Sequence, residues 1–127
     1  LDDAKLAASE IDYINAHGTA TMVNDVNETN AIKRVFGSSA NKLSISSTKS
    51  MHGHCLGAGG GIEAVAALKA MEEGFVPATL GLNDPDPECD LDYTPNVGKK
   101  RAVTYAMSNS FAFGGLNAVL VFGPPPG

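Results

Sequence analysis

Two histidines stand at positions where a polypeptide can carry out chemistry. The first, His17, follows residues 11–16, whose alternation of apolar and polar side chains predicts a half-buried β-strand. Ligand crevices form at the strand ends of α/β sheets, and an imidazole there can donate a hydrogen bond or shuttle a proton. A histidine that only closes a turn explains these residues at least as well.

The second histidine, His54, lies in the glycine-rich run of residues 53–61, directly before a predicted helix. Backbone N–H groups gather at a helix start and favour negative charge, such as a developing enolate or oxyanion. The run lacks GxxxxGK[ST] and departs from the dinucleotide fingerprint, so nucleotide binding is disfavoured. His52, His54 and Cys55 have no distant partner at metal-ligand spacing, and we predict no metal site.

A lysine and a glutamate are candidates for a buried pair. Lys49 follows a second predicted strand, residues 43–48, and Glu63 interrupts the otherwise apolar helix of residues 62–73. A buried carboxylate is costly unless it is paired, so the two side chains are natural partners. A Glu63 that reaches solvent fits the pattern equally well.

Two predicted helices must position these side chains. Asp25 and Glu28 form a capping-box pattern, which predicts a helix that ends at Gly37 and presents Ile32, Val35 and Phe36 on one face. Residues 62–73 are apolar on nearly every side, which predicts a buried helix. A buried helix needs apolar layers on both sides, which suggests one half of a larger layered protein.

The rest of the chain predicts a long connection and a strand pair. Residues 77–95 are rich in Pro, Asp and Asn and predict a surface connection, while residues 102–107 and 117–122 predict strands around a turn at 109–115. The order of elements predicts an α/β fold with a mixed sheet. In the turn, Phe111 and Phe113 stand beside Gly114, which favours either a mobile aromatic loop or a plain hairpin with two core phenylalanines.

Bulk composition restricts the class of protein. A hydrophobic content of 43% over 127 residues predicts one folded domain, residues 1–127, with an extended tail at 123–127. The net charge of −5 disfavours nucleic acid and anionic membrane as partners. The two cysteines lack CxxC spacing, so we expect a reducing, cytoplasmic location. Because residue 1 is not methionine, we expect a piece of a longer protein.

Several motifs, in order, resemble the C-terminal half of elongating β-ketoacyl-acyl-carrier-protein synthases. They are His17-Gly18-Thr19-Ala20-Thr21, Ser46-Ser47-Thr48-Lys49-Ser50, Gly53-His54 with Glu63, residues 83–93 and residues 109–117. The resemblance implies a thiolase-like layered fold, with one helix buried, that lacks its own first strand and helix. It also implies decarboxylative Claisen condensation of malonyl-carrier protein with an acyl thioester, in fatty acid or polyketide biosynthesis.

The resemblance implies partners and residue roles as well. The partners are acyl carrier protein, an N-terminal ketosynthase half and a second copy in a homodimer; no cofactor is implied, because the substrates are carried on phosphopantetheine. The implied roles are enolate stabilisation by His17 and His54, a supporting pair of Lys49 and Glu63 with Asp25 nearby, binding of the phosphopantetheine arm by Thr19 and Thr21, and a gate and oxyanion hole at Phe111, Phe113 and Gly114.

One expected residue is missing from the sequence. The family's nucleophile lies in a Thr-Ala-Cys-Ser-like motif of the N-terminal half, and neither Cys55 nor Cys89 has that setting. Residues adjacent in sequence rarely face a common substrate, so we predict that Cys55 packs and does not serve His54. The chain alone is expected to be inactive. The alternative function is a non-catalytic chain-length-factor-like or carrier-protein docking module.

Overall fold

The computed structural model describes residues 1–125. In chain order its strands and α-helices are β1 (Tyr13–Asn15), α1 (Met22–Phe36), β2 (Ser44–Ser46), α2 (Lys49–His52), α3 (Gly59–Glu73), β3 (Phe75–Val76), β4 (Lys99–Lys100), β5 (Ala106–Ala112) and β6 (Leu116–Phe122). Short 3₁₀ turns lie between several of them.

A four-stranded mixed sheet organises the chain. Its order is β2-β1-β5-β6, with β1 parallel to both β2 and β5 and with β6 antiparallel to β5. The chain leaves β1 through α1 to reach β2 on one side, and it returns through α3 to β5 on the other. The carboxyl ends of three parallel strands therefore meet at one edge, where α/β sheets form ligand crevices.

Helices cover both faces of the sheet. Successive side chains of a strand point to opposite faces, and in β1 Ile14 belongs to one core cluster while Tyr13 belongs to the other. The first cluster includes Ile32 and Phe36 of α1. The second includes Ala67 of α3, so the sheet lies between α1 and α3. The prediction of a half-buried strand is therefore wrong, because β1 is buried on both faces.

Helix α1 differs from its prediction at the start and on its buried face. It begins at Met22 after Thr21, and Asp25 is not its cap. The buried residues include Glu28, Ile32 and Phe36, whereas Val35 is exposed. The capping box is wrong because the Glu28 carboxylate turns inward to accept hydrogen bonds from the loop after β1. The predicted end at Gly37 is correct.

Helix α3 is buried on one side only. Gly59, Glu63, Ala67 and Ala70 face the sheet, at the spacing of one helical stripe. Three large apolar residues on the remaining surface are exposed; they are Ile62, Val65 and Leu68. Within residues 1–125 the predicted burial is met on the sheet side only, and the second apolar layer that the sequence calls for is not among these residues.

The strand pair is longer than the sequence pattern suggested. Strand β5 runs from Ala106 to Ala112, so residues 109–112 belong to a strand and only Phe113–Gly115 turn. Residues 102–105, predicted as strand, lie before it. Residues 77–95 form the expected connection, apart from an isolated bridge between Thr79 and Pro95. Of the predicted tail, residues 126–127 lie outside the described residues.

Candidate active site

The candidate residues gather at the carboxyl edge of the sheet. His17 follows β1, Lys49 opens α2 just after β2, and Phe111 lies on β5. The ring centroid of His17 is 5.6 Å from that of His54 and 5.5 Å from that of Phe111, both in edge-on arrangements. The two histidines that the sequence singled out are therefore neighbours in space, although 36 residues of chain lie between them.

Lys49 and Glu63 form a buried ion pair. Their side chains are 6% and 1% exposed, and the Lys49 ammonium donates a hydrogen bond to the Glu63 carboxylate. The Lys49 Nζ also lies 3.5 Å from Nδ1 of His17. Of the two interpretations of Glu63, pairing is correct and solvent exposure is wrong.

Neighbouring donors select the tautomers of both imidazoles. The backbone N–H of Leu56 donates to Nδ1 of His54 over 3.2 Å, and the Lys49 ammonium faces Nδ1 of His17. A ring nitrogen that accepts a hydrogen bond cannot carry the proton of a neutral imidazole, so Nε2–H is the remaining donor on each ring. The site therefore offers two N–H donors on adjacent rings.

The environment of His17 favours the neutral ring. Burial lowers its pKa below the ordinary value of 6.5, and the positive charge of Lys49 lowers it further, against smaller raising effects of Glu28 and Glu63. Near neutral pH His17 is accordingly an uncharged hydrogen-bond donor. Such a ring stabilises developing negative charge without adding a cation beside Lys49.

The aromatic turn is split between the site and the surface. Phe111 contacts the His17 ring, whereas Phe113 is 100% exposed at the tip of the hairpin. Gly114 and Gly115 have φ values of 81° and 80°, a region that favours glycine. The alternative of two core phenylalanines is wrong, since neither ring is buried in the core. The gate role of Phe113 stays a prediction.

A cavity of about 540 Å³ opens beside His54. Its wall includes Lys49 and His54 together with Thr19, Thr21 and Asp25. The hydroxyls of the two threonines lie 2.9 Å apart. Asp25 accepts a hydrogen bond from Asn24 and forms no ion pair with Lys49 in the described part of the chain, so its contribution lies in the cavity wall.

Glycine at position 18 permits the close approach of two strand ends. The Ser47 hydroxyl donates to the carbonyl oxygen of Gly18 over 2.7 Å. A Cβ at Gly18 would lie 2.5 Å from that of Ser47, and φ is +38°. The loop that carries His17 is therefore fixed against the end of β2.

Two polar residues near the site escaped the sequence interpretation. Glu28 is buried and accepts hydrogen bonds from the backbone N–H groups of His17 and Gly18, at 2.9 Å each, and from Asn109 of β5 at 3.0 Å. A signal was present: Glu28 shares the apolar face of α1 with residues four and eight positions later. An acidic residue on such a face indicates a buried acceptor.

The other groups that the sequence raised as candidates form no further site among residues 1–125. The Cys55 thiol lies near Nδ1 of His52, at 3.8 Å, and its other partners are backbone carbonyls; it does not bind His54. Among residues 1–125 no three His, Cys, Asp or Glu side chains are grouped to hold a metal ion. In the same stretch no helix has the length and apolar character needed to cross a bilayer.

Comparison with known proteins decides the family. Residues 1–83 match the family described as the β-ketoacyl synthase, C-terminal domain. The chain belongs to the β-ketoacyl synthase family. The resemblance inferred from the sequence motifs is confirmed.

Curated relatives are similar to almost the whole chain. It is 59% identical over 122 residues to nodulation protein E of Rhizobium sp. (strain N33), and 53% identical over 122 residues to 3-oxoacyl-[acyl-carrier-protein] synthase 2 of Staphylococcus aureus (strain COL). Each comparison covers 96% of this chain and 30% of the relative. The chain therefore spans about 30% of the length of these relatives.

Solved ketosynthase structures have the same fold. A β-ketoacyl synthase from Burkholderia phymatum matches with a TM-score of 0.90 and 45% identity, over 97% of this chain and 30% of the other. A ketosynthase in complex with a type II PKS acyl-carrier protein matches with a TM-score of 0.92 and 45% identity, over 95% of this chain and 30% of that one. The predicted thiolase-like α/β fold of a ketosynthase C-terminal half is confirmed.

Proposed function

We propose that this chain is the part of a condensing enzyme that activates the malonyl group. In this proposal His17 and His54 donate their Nε2–H groups to the thioester oxygen of malonyl-carrier protein. The enolate that forms as carbon dioxide leaves is thereby stabilised. The observation that carries the proposal is the adjacency of two imidazoles, 5.6 Å apart between ring centroids, whose Nδ1 atoms each face a donor.

The supporting residues fit the same chemistry. Lys49 orients His17 from the Nδ1 side, and Glu63 balances the buried ammonium charge. The cavity wall beside His54, with Thr19 and Thr21, offers hydroxyls to a phosphopantetheine arm. The carbon–carbon bond is formed by substrate groups alone, so we propose that no cofactor is needed.

Partners follow from the missing nucleophile and from similarity. The neighbour solved with an acyl-carrier protein supports carrier protein as the partner that delivers the malonyl group. We propose that the nucleophilic cysteine is supplied by an N-terminal ketosynthase half, which packs on the exposed apolar residues of α3 and β6, and that the complete enzyme is a homodimer. A cytoplasmic location stays a prediction.

The three histidines of the chain provide the test. In the assembly of this chain with the cysteine-bearing half, His17→Ala and His54→Ala should each lower malonyl-thioester decarboxylation at least about a hundredfold, the typical loss on removing one such donor. His52→Ala is the control, because its ring binds Thr48 and Gly53 outside the donor pair. Decarboxylation at the wild-type rate in His54→Ala would exclude the enolate role.

A chain-length-factor-like module remains the second candidate. The carboxylate, the lysine and both imidazoles are retained in contact here, which a docking surface does not require. A module of that kind would bind carrier protein equally well with and without His17 and His54, and the histidine variants would then change neither binding nor catalysis.

A further inference from the structure

Glu28 is buried without an ion-pair partner among residues 1–125. A buried carboxylate is costly unless its oxygens accept hydrogen bonds, and here they accept four. The donors are the backbone N–H groups of His17 and Gly18, and the side-chain amides of Asn24 and Asn109. Two of these donors belong to the loop after β1 and one belongs to β5.

The backbone of the histidine loop depends on this carboxylate. The last ladder bond of β1 runs from the Ala16 N–H to the Ser46 carbonyl oxygen, over 2.9 Å. The next two N–H groups, at His17 and Gly18, have passed the end of the sheet, and each donates to a different oxygen of Glu28 at 2.9 Å. The direction in which the His17 side chain leaves the backbone is therefore fixed by a residue of α1.

The same carboxylate fixes the orientation of the side-chain amide of Asn109. Its Nδ2 donates to Oε1 of Glu28, the oxygen that also accepts from His17, while its Oδ1 is buried without a partner in the described residues. Rotating the amide would turn its oxygen towards a carboxylate, so only one orientation is favourable. Asn109 lies two residues before Phe111, whose ring contacts His17.

We propose that Glu28 is a positioning residue that joins the His17 loop to β5 through Asn109 and so holds the His17 ring against Phe111. The inference rests on the proposed function, in which His17 stabilises the enolate. Glu28 touches no substrate in this scheme, and it acts through His17. We therefore expect the effects of changing Glu28 and Asn109 on catalysis to be coupled. Two residues that only contributed to general stability would have independent effects.

Amide hydrogen exchange on the chain itself tests the positioning. In Glu28→Gln the side-chain NH₂ opposes one of the two backbone donors, so exchange at His17 and Gly18 should accelerate at least tenfold. Ile32→Ala, on the same helix but packed in the core, is the control. Each variant is measured at the same temperature interval below its own melting temperature. Unchanged exchange at His17 and Gly18 in Glu28→Gln would overturn the inference.

Kinetics of the assembly with the cysteine-bearing half test the coupling. Glu28→Gln and Asn109→Ala should each lower kcat for malonyl decarboxylation about tenfold with KM changed less than threefold, and the double variant should be no slower than the worse single variant. Single effects that multiply in the double variant, or a loss confined to KM, would overturn the coupling. An inactive wild-type assembly would instead remove the proposed function, while the exchange result would still decide the role of Glu28.

Discussion

At the scale of single residues, the charged and polar groups of the site compensate one another in sequence. Glu63 balances Lys49, and Lys49 faces His17, whose pKa is lowered by burial and by that ammonium. Removing one member of a buried pair leaves an uncompensated charge, whereas replacing both by apolar residues is often tolerated.

The buried pair makes a stability prediction. Lys49→Met should lower the free energy of unfolding by about 3–5 kcal/mol, because Glu63 is left charged in the core. Chemical denaturation measures the change. The control is Lys69→Met, which removes an exposed pair with Glu72 and should leave the unfolding midpoint unchanged. The double variant Lys49→Met/Glu63→Met should regain most of the loss; equal stability of Lys49→Met and wild type would contradict the burial of this pair.

His17 makes a pH prediction. Its pKa is below 6.5 in the folded chain and near 6.5 in the unfolded chain, so the unfolded state binds the proton more readily. The stability that this difference contributes is present above pH 6.5 and is lost as pH falls from 6.5 through the lowered folded value. Stability measured from pH 7.5 to 5 should therefore decline less in His17→Gln than in wild type. A steeper decline in the variant would reverse the sign of the shift.

Some residue roles could be predicted from the sequence and others could not. The types and order of His17, His54 and Lys49 were informative because few other residues carry such chemistry. The place of Glu28 on the apolar face of α1 signalled its burial, but its role and that of Asn109 were missed because both depend on a contact between α1 and β5 that spans 81 residues of sequence. No local pattern specifies a contact of that range.

At the scale of elements, the site depends on how closely strand ends approach. The carboxyl ends of β1 and β2 meet where Gly18 lies against Ser47, and the register of Tyr13 to Asn15 with residues 44–46 sets that distance. The existence of these strands was predictable from their apolar content. Their burial on both faces was not, since it follows from helices α1 and α3 that pack on opposite faces of the sheet.

The contact at Gly18 predicts a sharp glycine requirement. Gly18→Ala should destabilise the chain by about 2 kcal/mol or more, from strain at positive φ together with the clash at Ser47. Gly57→Ala is the matched control, because a Cβ there meets nothing within 4 Å. Thermal melts of both variants measure the difference. Equal melting temperatures would mean that the loop relaxes without resistance.

At the scale of the whole molecule, the chain exposes large apolar side chains of the kind that are usually buried. Val65 of α3 is 61% exposed, on a helix whose opposite side packs against the sheet. Leu116 of β6 is 70% exposed, on an edge strand whose residues 116–120 are all exposed. Exposed apolar groups of this extent mark interaction sites in soluble proteins. The sequence already indicated that a further layer of protein packs on α3, because this helix is apolar on nearly every side. It could not show which residues that layer would cover.

This surface predicts association. Alone, the chain should self-associate at roughly micromolar concentration. The double variant Val65→Lys/Leu68→Lys should bind the cysteine-bearing half at least about tenfold more weakly, since each change puts a charge into an apolar contact. Val97→Lys, at an exposed position of the connection before β4, is the control. Light scattering and titration calorimetry measure both effects. Unchanged binding by the α3 variant would locate the interface elsewhere.

We propose, then, that this chain activates the malonyl group but cannot hold the acyl group. The direct measurement is condensation of an acyl thioester with malonyl-carrier protein, by the chain alone and by the chain combined with the cysteine-bearing half. We expect product at the background rate from the chain alone and turnover from the combination. Robust condensation by the chain alone would contradict it, because a nucleophile would then have to lie among these 127 residues.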